Sequence, residues 1–324
     1  MKKLLTYSSL AVAAFLYTIS LHAQSVKYKT ENKTNALAPF KISISILNFE
    51  QILTPITAGI MVEGHLKDKL FYNVQFRQGY IRNFEISKDN LITTQKESKG
   101  TVFEAGVDWV FRDRIKPGKV KIVTSSSSSS YGTSEKYFRA DCDVRKYWAL
   151  SGGVFEYIRA KYINSDSSEY ITSGTTDIKA PKDKFTHLNQ NTIGLYVGLV
   201  HRKIKKATVA VSDEGRTYRI FYSTKFYLQM LSGVTNVGDI LYNGQSYKVD
   251  NAKQIPLGYR IGWQWDQQGV VTGFEFGKMP GVILDTPVAK SDFDKISTFL
   301  NYMRFTFHFN IYNGDINYSM KLKK

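Results

Sequence analysis

Beyond Leu21 the chain has no run of about 18 apolar residues, so nothing after that point is both apolar and long enough to cross a bilayer as a helix. Cysteine is almost absent. Cys142 stands alone, which excludes an internal disulfide, and it alternates in phase with Phe138, Ala140 and Val144, so it is expected to be a packed thiol rather than a reactive one. Histidine is scarce too, with His65, His187, His201 and His308 after the first 23 residues. His201 falls on an apolar phase near a strand end, and His187 stands in a loop near Asp183 and Thr186, a grouping too common to define a site. No His-x-His pair or carboxylate cluster has metal-ligand spacing, and no Gly-x-Ser-x-Gly occurs. The expectation is a protein that is not an enzyme and carries no cofactor.

What the chain does contain is alternation. In 216–230 (RTYRIFYSTKFYLQM), Tyr218, Ile220, Tyr222, Phe226, Leu228 and Met230 alternate with Arg219, Ser223, Lys225 and Gln229. A period of two means a strand with one apolar and one polar face. At roughly 3.3 Å per residue this strand is about 45 Å long, more than a soluble strand needs and right for a tilted strand crossing an outer membrane. The same texture recurs in 69–80, 101–112, 136–147, 190–203, 255–266, 269–279 and 298–311, and more weakly in 40–49, 55–65, 118–124 and 154–163. Spread over every second position, apolar residues dilute one another, which fits a mean hydropathy of −0.27. Aromatics make up 14% of the chain, with 21 Tyr and 20 Phe, as expected of girdles at two membrane interfaces.

These segments predict an all-β chain, an antiparallel up-and-down transmembrane β-barrel of about 12 strands (10–14) over 40–312. If the first strand runs outward, the inner turns are 66–68, 113–117, 148–153, 204–215 and 267–268, mostly short. The outer loops are then 50–54, 81–100, 125–135, 164–189, 231–254 and 280–297, mostly long and polar. Gly152-Gly153 and Asp213-Glu214-Gly215 are assigned to turns, and the serine run 125–130 to a mobile loop tip. The loops 81–100, 164–189 and 231–254 are the candidate surfaces for an extracellular or envelope partner.

The polar faces supply the candidate site. Arg77, Glu104, Asp108, Arg139, Asp141, Asp143, Arg145, Arg219, Lys225, Arg260, Glu275, Arg304 and His308 all fall opposite apolar neighbours, so a closed barrel points them inward. There they must pair, because a buried unpaired charge costs several kcal/mol. Three uses remain open: a structural charge lattice, a narrow ion or solute path, and a ligand site in the barrel mouth.

Residues 1–23 have the layout of a secretory signal peptide: Lys2 and Lys3, an apolar run to Leu21, then Ala23 before Gln24. An N-terminal segment 24–39 follows it. Removal of residues 1–23, with Lys2 and Lys3, takes the net charge from +16 to +14 (16 − 2). The excess lysines are not clustered with base-stacking aromatics, so nucleic acid is not expected as a partner. Outer-membrane lipids and lipopolysaccharide are, with Lys179, Lys182, Lys184, Lys203, Lys205 and Lys206 as solvated charges or headgroup contacts.

The segments GLYVGLVHRKI (194–204), GYRIGW (258–263), FEFGKMPGV (274–282) and FYSTKFYLQM (221–230) resemble the small outer-membrane β-barrel proteins of Bacteroidetes, over most of the mature chain. The resemblance implies fold and location, and assembly by the barrel-assembly machinery; it lends no catalytic residue. Such barrels commonly end on an aromatic residue, whereas this chain ends Met320, Lys321, Leu322, Lys323, Lys324, so 313–324 is either a tail or an extra strand after an Asn313-Gly314 turn. The expected function is a non-enzymatic outer-membrane barrel whose long loops serve binding or assembly and whose lumen is largely filled by side chains. The alternatives are a small, weakly anion-preferring channel and, least favoured, a lipid-modifying enzyme of the outer membrane.

Overall fold

The computed structural model describes residues 28–32, 40–50, 54–67, 69–81, 100–129, 132–163, 171–173, 176–178, 186–211, 216–242, 245–267, 269–284 and 301–313. The expected signal peptide, the expected tail at 314–324 and most of the expected long loops lie outside these residues. The described chain is all-β, as the alternation predicts.

Ten strands close a barrel. In chain order they are β2 (Phe40–Glu50), β3 (Thr54–Lys67), β4 (Leu70–Ile81), β5 (Thr101–Ser129), β6 (Gly132–Ile163), β9 (Thr186–Val211), β10 (Arg216–Val237), β14 (Leu257–Gln267), β15 (Val270–Lys278) and β17 (Asn301–Asn313). Each pairs antiparallel with the next, and β17 returns to β2, with Phe305 opposite Phe49. Closure leaves no edge along the wall. Around it, β1 (Tyr28–Asn32) adds to the far end of β9. The pairs β7 (Ile171–Ser173) with β8 (Thr176–Ile178), β11 (Ile240–Tyr242) with β12 (Gln245–Tyr247), and β13 (Ala252–Ile255) with β16 (Gly281–Leu284) decorate the opposite end.

The period-two pattern sets the two faces. On β5, Phe103, Val107 and Trp109 are exposed on the outside while Val102, Glu104, Asp108 and Val110 are buried within. On β17, Met303, Phe305, Phe307, Phe309 and Ile311 are exposed and Tyr302, Arg304, Thr306 and His308 buried. On these two strands the charged residues face the interior and most large apolar residues face out.

The count is ten, the lower bound of the expected 10–14 rather than about 12, because two expected turns lie within strands. Lys116, Pro117 and Gly118 pair with Val144, Asp143 and Cys142 in the β5–β6 ladder. The β4–β5 ladder stops at Leu70 opposite Trp109, so from there β5 has a free edge that tolerates a proline lacking its N–H. Gly152 and Gly153 pair with Val107 and Gly106 on one side and with Val197 and Tyr196 on the other. Gly153 is a strand glycine because the Tyr196 ring occupies the space above it and above its partner Gly106: a Cβ on Gly106 would sit 1.8 Å from the Tyr196 hydroxyl, and one on Gly153 2.6 Å from Tyr196 Cζ.

Loss of those turns moves the serine run to the other end. Ser125 to Ser129 pair with Lys136 to Gly132, so 125–129 is strand and the reversal at 130–131 is short. It shares an end with the reversals at 68–69, 212–215 and 268–269, the last with Gly269 at φ 97°. The strand ends that flank 51–53, 82–100, 164–185, 238–256 and 279–300 lie at the opposite end. Apart from 51–53, the longer connections join strand ends at this end, and the short ones join strand ends at the other. At the turn end β5, β6, β9 and β10 run on beyond the barrel, where Val120, Ile122, Ala140, Cys142, Val144, Ala207, Val209 and Ile220 form one buried cluster.

Candidate functional site: the charge lattice of the lumen

Midway along the barrel, two carboxylates collect nearly every nearby cation and phenol. Glu104 on β5 accepts from Arg260 Nη1 at 2.7 Å, from Arg77 Nη2 at 3.2 Å and from the Tyr157 hydroxyl at 2.6 Å, with Arg304 Nη1 at 3.9 Å. Glu275 on β15 accepts from Arg304 Nη2 at 2.8 Å, from the Tyr302 hydroxyl at 2.6 Å and from the Tyr227 hydroxyl. Arg260 also donates from Nε to Gln229 Oε1 at 2.5 Å and lies 4.6 Å over the Tyr196 ring, while Gln229 donates to Ser151 at 2.9 Å. Since β5 and β14 stand on opposite sides of the wall, the Arg260–Glu104 pair crosses the lumen.

A second layer lies toward the turn end. Lys41 bridges Glu63 at 2.5 Å and Asp266 at 2.8 Å, Arg202 approaches Glu63 at 3.8 Å and donates to Ser223 at 2.8 Å, and Lys225 pairs with Asp108 at 3.1 Å. Ser43 donates to Asn310 at 2.6 Å. At the mouth of that end, Phe71 and Tyr147 stack with ring centroids 5.0 Å apart, and Arg145 grips Asp113 through Nε at 2.9 Å and Nη2 at 2.6 Å.

Toward the other end the lumen turns apolar. Val102, Phe155, Leu231 and Met279 pack there with Tyr157, Tyr196 and Tyr302. Beyond them Arg159 donates to Gln190 at 3.0 Å, and the hydroxyls of Thr192 and Thr235 meet at 2.8 Å. Between these layers is a cavity of about 70 Å³ bordered by Met61, Lys225, Gln229, Thr306 and His308. Pockets that take small organic ligands run to roughly 300–1,000 Å³, so this space suits a few waters and little more.

The structure brings together most of the expected lattice. Arg77, Glu104, Asp108, Lys225, Arg260, Glu275, Arg304 and His308 are all buried in the barrel interior. Arg145 is buried as well, but its partner is Asp113 rather than a carboxylate of the central layer. Arg139 and Asp141 are exposed and Asp143 is half-buried, so these three are corrected: they do not belong to the lattice. Their strand has left the barrel by then. The β6–β9 ladder ends at Asp143 opposite Lys206, and earlier residues of β6 pair with β5 alone, where no lumen exists to receive them. Arg219 stands opposite Thr208 near the turn end of β10, with its side chain outside the described residues.

Sequence reasoning missed Lys41, Glu63, Arg202 and Asp266, and the tyrosines Tyr157, Tyr196, Tyr227 and Tyr302. Phase alone could have found several. Tyr196 and Arg202 share the even positions of Thr192, Gly194 and Gly198, and Tyr227 sits between Lys225 and Gln229 on one face. Tyrosine falls with the apolar set in the alternation, which hides that its ring fills the lumen while its hydroxyl satisfies a carboxylate.

Chemically, this arrangement pairs charge: each carboxylate of the central layer is held by guanidinium and phenol donors. Among the described residues no three His, Cys, Asp or Glu side chains are grouped to hold a metal ion. No family model matches the chain, and neither the curated proteins nor the solved structures contain a match.

Proposed function

We propose that this protein is a non-enzymatic outer-membrane barrel whose lumen is plugged by its own charge lattice, leaving binding or assembly to the long connections at one end. The observation that carries the reading is the Arg260–Glu104 contact across the lumen, joined through Arg304 to Glu275. An ion path would have to part these pairs, and exposing one partner of a buried pair costs several kcal/mol.

Placement in a membrane rests on the outward face. On β17 the exposed residues Met303 to Ile311 span about 26 Å along the strand, or about 20 Å across a bilayer at a tilt of ~40°. Trp109, Trp148 and Trp265 are exposed toward the turn end of that face, where aromatic side chains suit a membrane interface. In water the same face would be one continuous apolar patch, far beyond what a soluble monomer carries. Both ends of the barrel chain, the start of β2 and the end of β17, lie at the turn end, which is therefore periplasmic. The long connections then face outward.

Expression of the full chain in a bacterium with an outer membrane tests the reading. Recovery in the outer-membrane fraction, with faster gel migration before boiling than after, is the expected result. Recovery as a soluble periplasmic protein with no heat-dependent mobility would refute it.

A further inference from the structure

On the outward face of β5, β6 and β9, just past the aromatic residues of the turn end, the cross-strand registers assemble a compact grid. Its first row is Arg112, Trp148 and His201; the second is Arg114, Lys146 and Lys203; the third is Lys116, Val144 and Lys205. Directly opposite residues in a sheet stand about 5 Å apart at Cβ, and like charges so placed repel. The middle row sets three cations side by side. Arg112, Arg114, Lys116 and Lys146 are exposed, and the outward neighbours on β10 are Phe226, Thr224 and Tyr222, which offer no carboxylate. Asp113, the nearest acid in sequence, is turned to the other face and held by Arg145. Six cations without an anion among them make a charge imbalance that their described neighbours do not correct.

The grid also has a shape. Arg112, Arg114, Lys116, Lys146, Trp148 and His201 line an open cavity of about 240 Å³, and the Trp148 indole leans on the His201 ring at a centroid distance of 4.7 Å. Aromatic surface on the membrane side and cations on the aqueous side are the two halves of a lipid headgroup site: the rings take the upper acyl chain and glycerol, the guanidinium and ammonium groups take the phosphate.

We propose that this grid binds the phosphate headgroup of an anionic glycerophospholipid in the periplasmic leaflet. The proposal rests on the outer-membrane reading and adds a ligand class and a place. The bound lipid supplies the counter-charge that the middle row lacks, so the protein is anchored by a specific lipid at the end where its strands leave the bilayer. A free phosphate ion would satisfy the charge but would leave Trp148 without its apolar partner.

The test uses the full mature chain folded into phosphatidylcholine vesicles with a small fraction of brominated lipid, whose bromines quench tryptophan fluorescence on contact. Brominated phosphatidylglycerol should quench at lower mole fraction than brominated phosphatidylcholine, and millimolar inorganic phosphate should not reverse this. In the double variant Arg114→Gln and Lys146→Gln the preference should fall about 30-fold, from about 1 kcal/mol per interfacial cation. The double variant Lys253→Gln and Lys278→Gln, altered toward the opposite end, should retain it. Without anionic lipid the first variant should resist heat better than the parent, because it relieves repulsion. Equal quenching by the two lipids, retention of the preference in the first variant, or full reversal by phosphate would overturn the lipid site while leaving a heat-modifiable barrel intact. Failure of the chain to insert at all would instead defeat the membrane reading and the lipid site with it.

Discussion

Glu104 is the residue on which the most contacts converge, and its loss should be felt accordingly. Glu104→Ala removes the buried carboxylate that Arg77 and Arg260 share, at an expected cost of about 3–5 kcal/mol. The folded gel species should then disappear at a clearly lower temperature. Asp141→Ala makes the contrast: Asp141 is exposed on the part of β6 outside the barrel, so its removal should change stability by no more than about 1 kcal/mol. Equal loss from both substitutions would mean the lattice has been drawn on the wrong residues. Gly106 gives a second residue-scale test. Its Cβ would collide with the Tyr196 hydroxyl, so Gly106→Ala should destabilise the barrel and the added change Tyr196→Ala should recover part of the loss, measured as a double-mutant cycle. No recovery would detach the two residues from each other.

At the scale of elements, alternation made most strands legible from the sequence, including their faces. Turn chemistry misled where two strands outran their usual length. Lys116-Pro117-Gly118 and Gly152-Gly153 carry turn residues, yet one occupies a free edge and the other makes room for a ring reaching in from β9, a contact more than 40 positions away in the chain. Local sequence cannot report a neighbour that distant. The correction reverses a topological expectation: epitope tags at Tyr131 and at Glu214 should now behave alike and be shielded on intact cells, while a tag in 164–170 should be reachable by antibody. Opposite labelling of Tyr131 and Glu214 would restore the two extra turns. The strand extensions have their own test in Cys142, buried in the cluster beyond the barrel, where burial raises the thiol. A maleimide should label it slowly in the folded protein and rapidly after unfolding; fast labelling of folded protein would mean that the cluster is not packed.

For the molecule as a whole, the sequence supplied the inside-out distribution of charge but not the pairing that closes the lumen, because Arg260 and Glu104 meet only when β5 and β14 take opposite sides of a ten-strand wall. The same closure brings the scattered charges together in the interior and leaves most large apolar side chains of the wall facing outward, with Phe71, Phe155 and Leu231 among those that face in. The most direct test of that central claim is single-protein conductance in a planar bilayer, made on protein whose folded state has been verified by its gel mobility. The lattice predicts no steady open current from the parent chain, and measurable leak when Arg260→Ala and Glu104→Ala are combined. A steady open current from the parent protein, unchanged by that double substitution, would contradict a lumen sealed by these side chains.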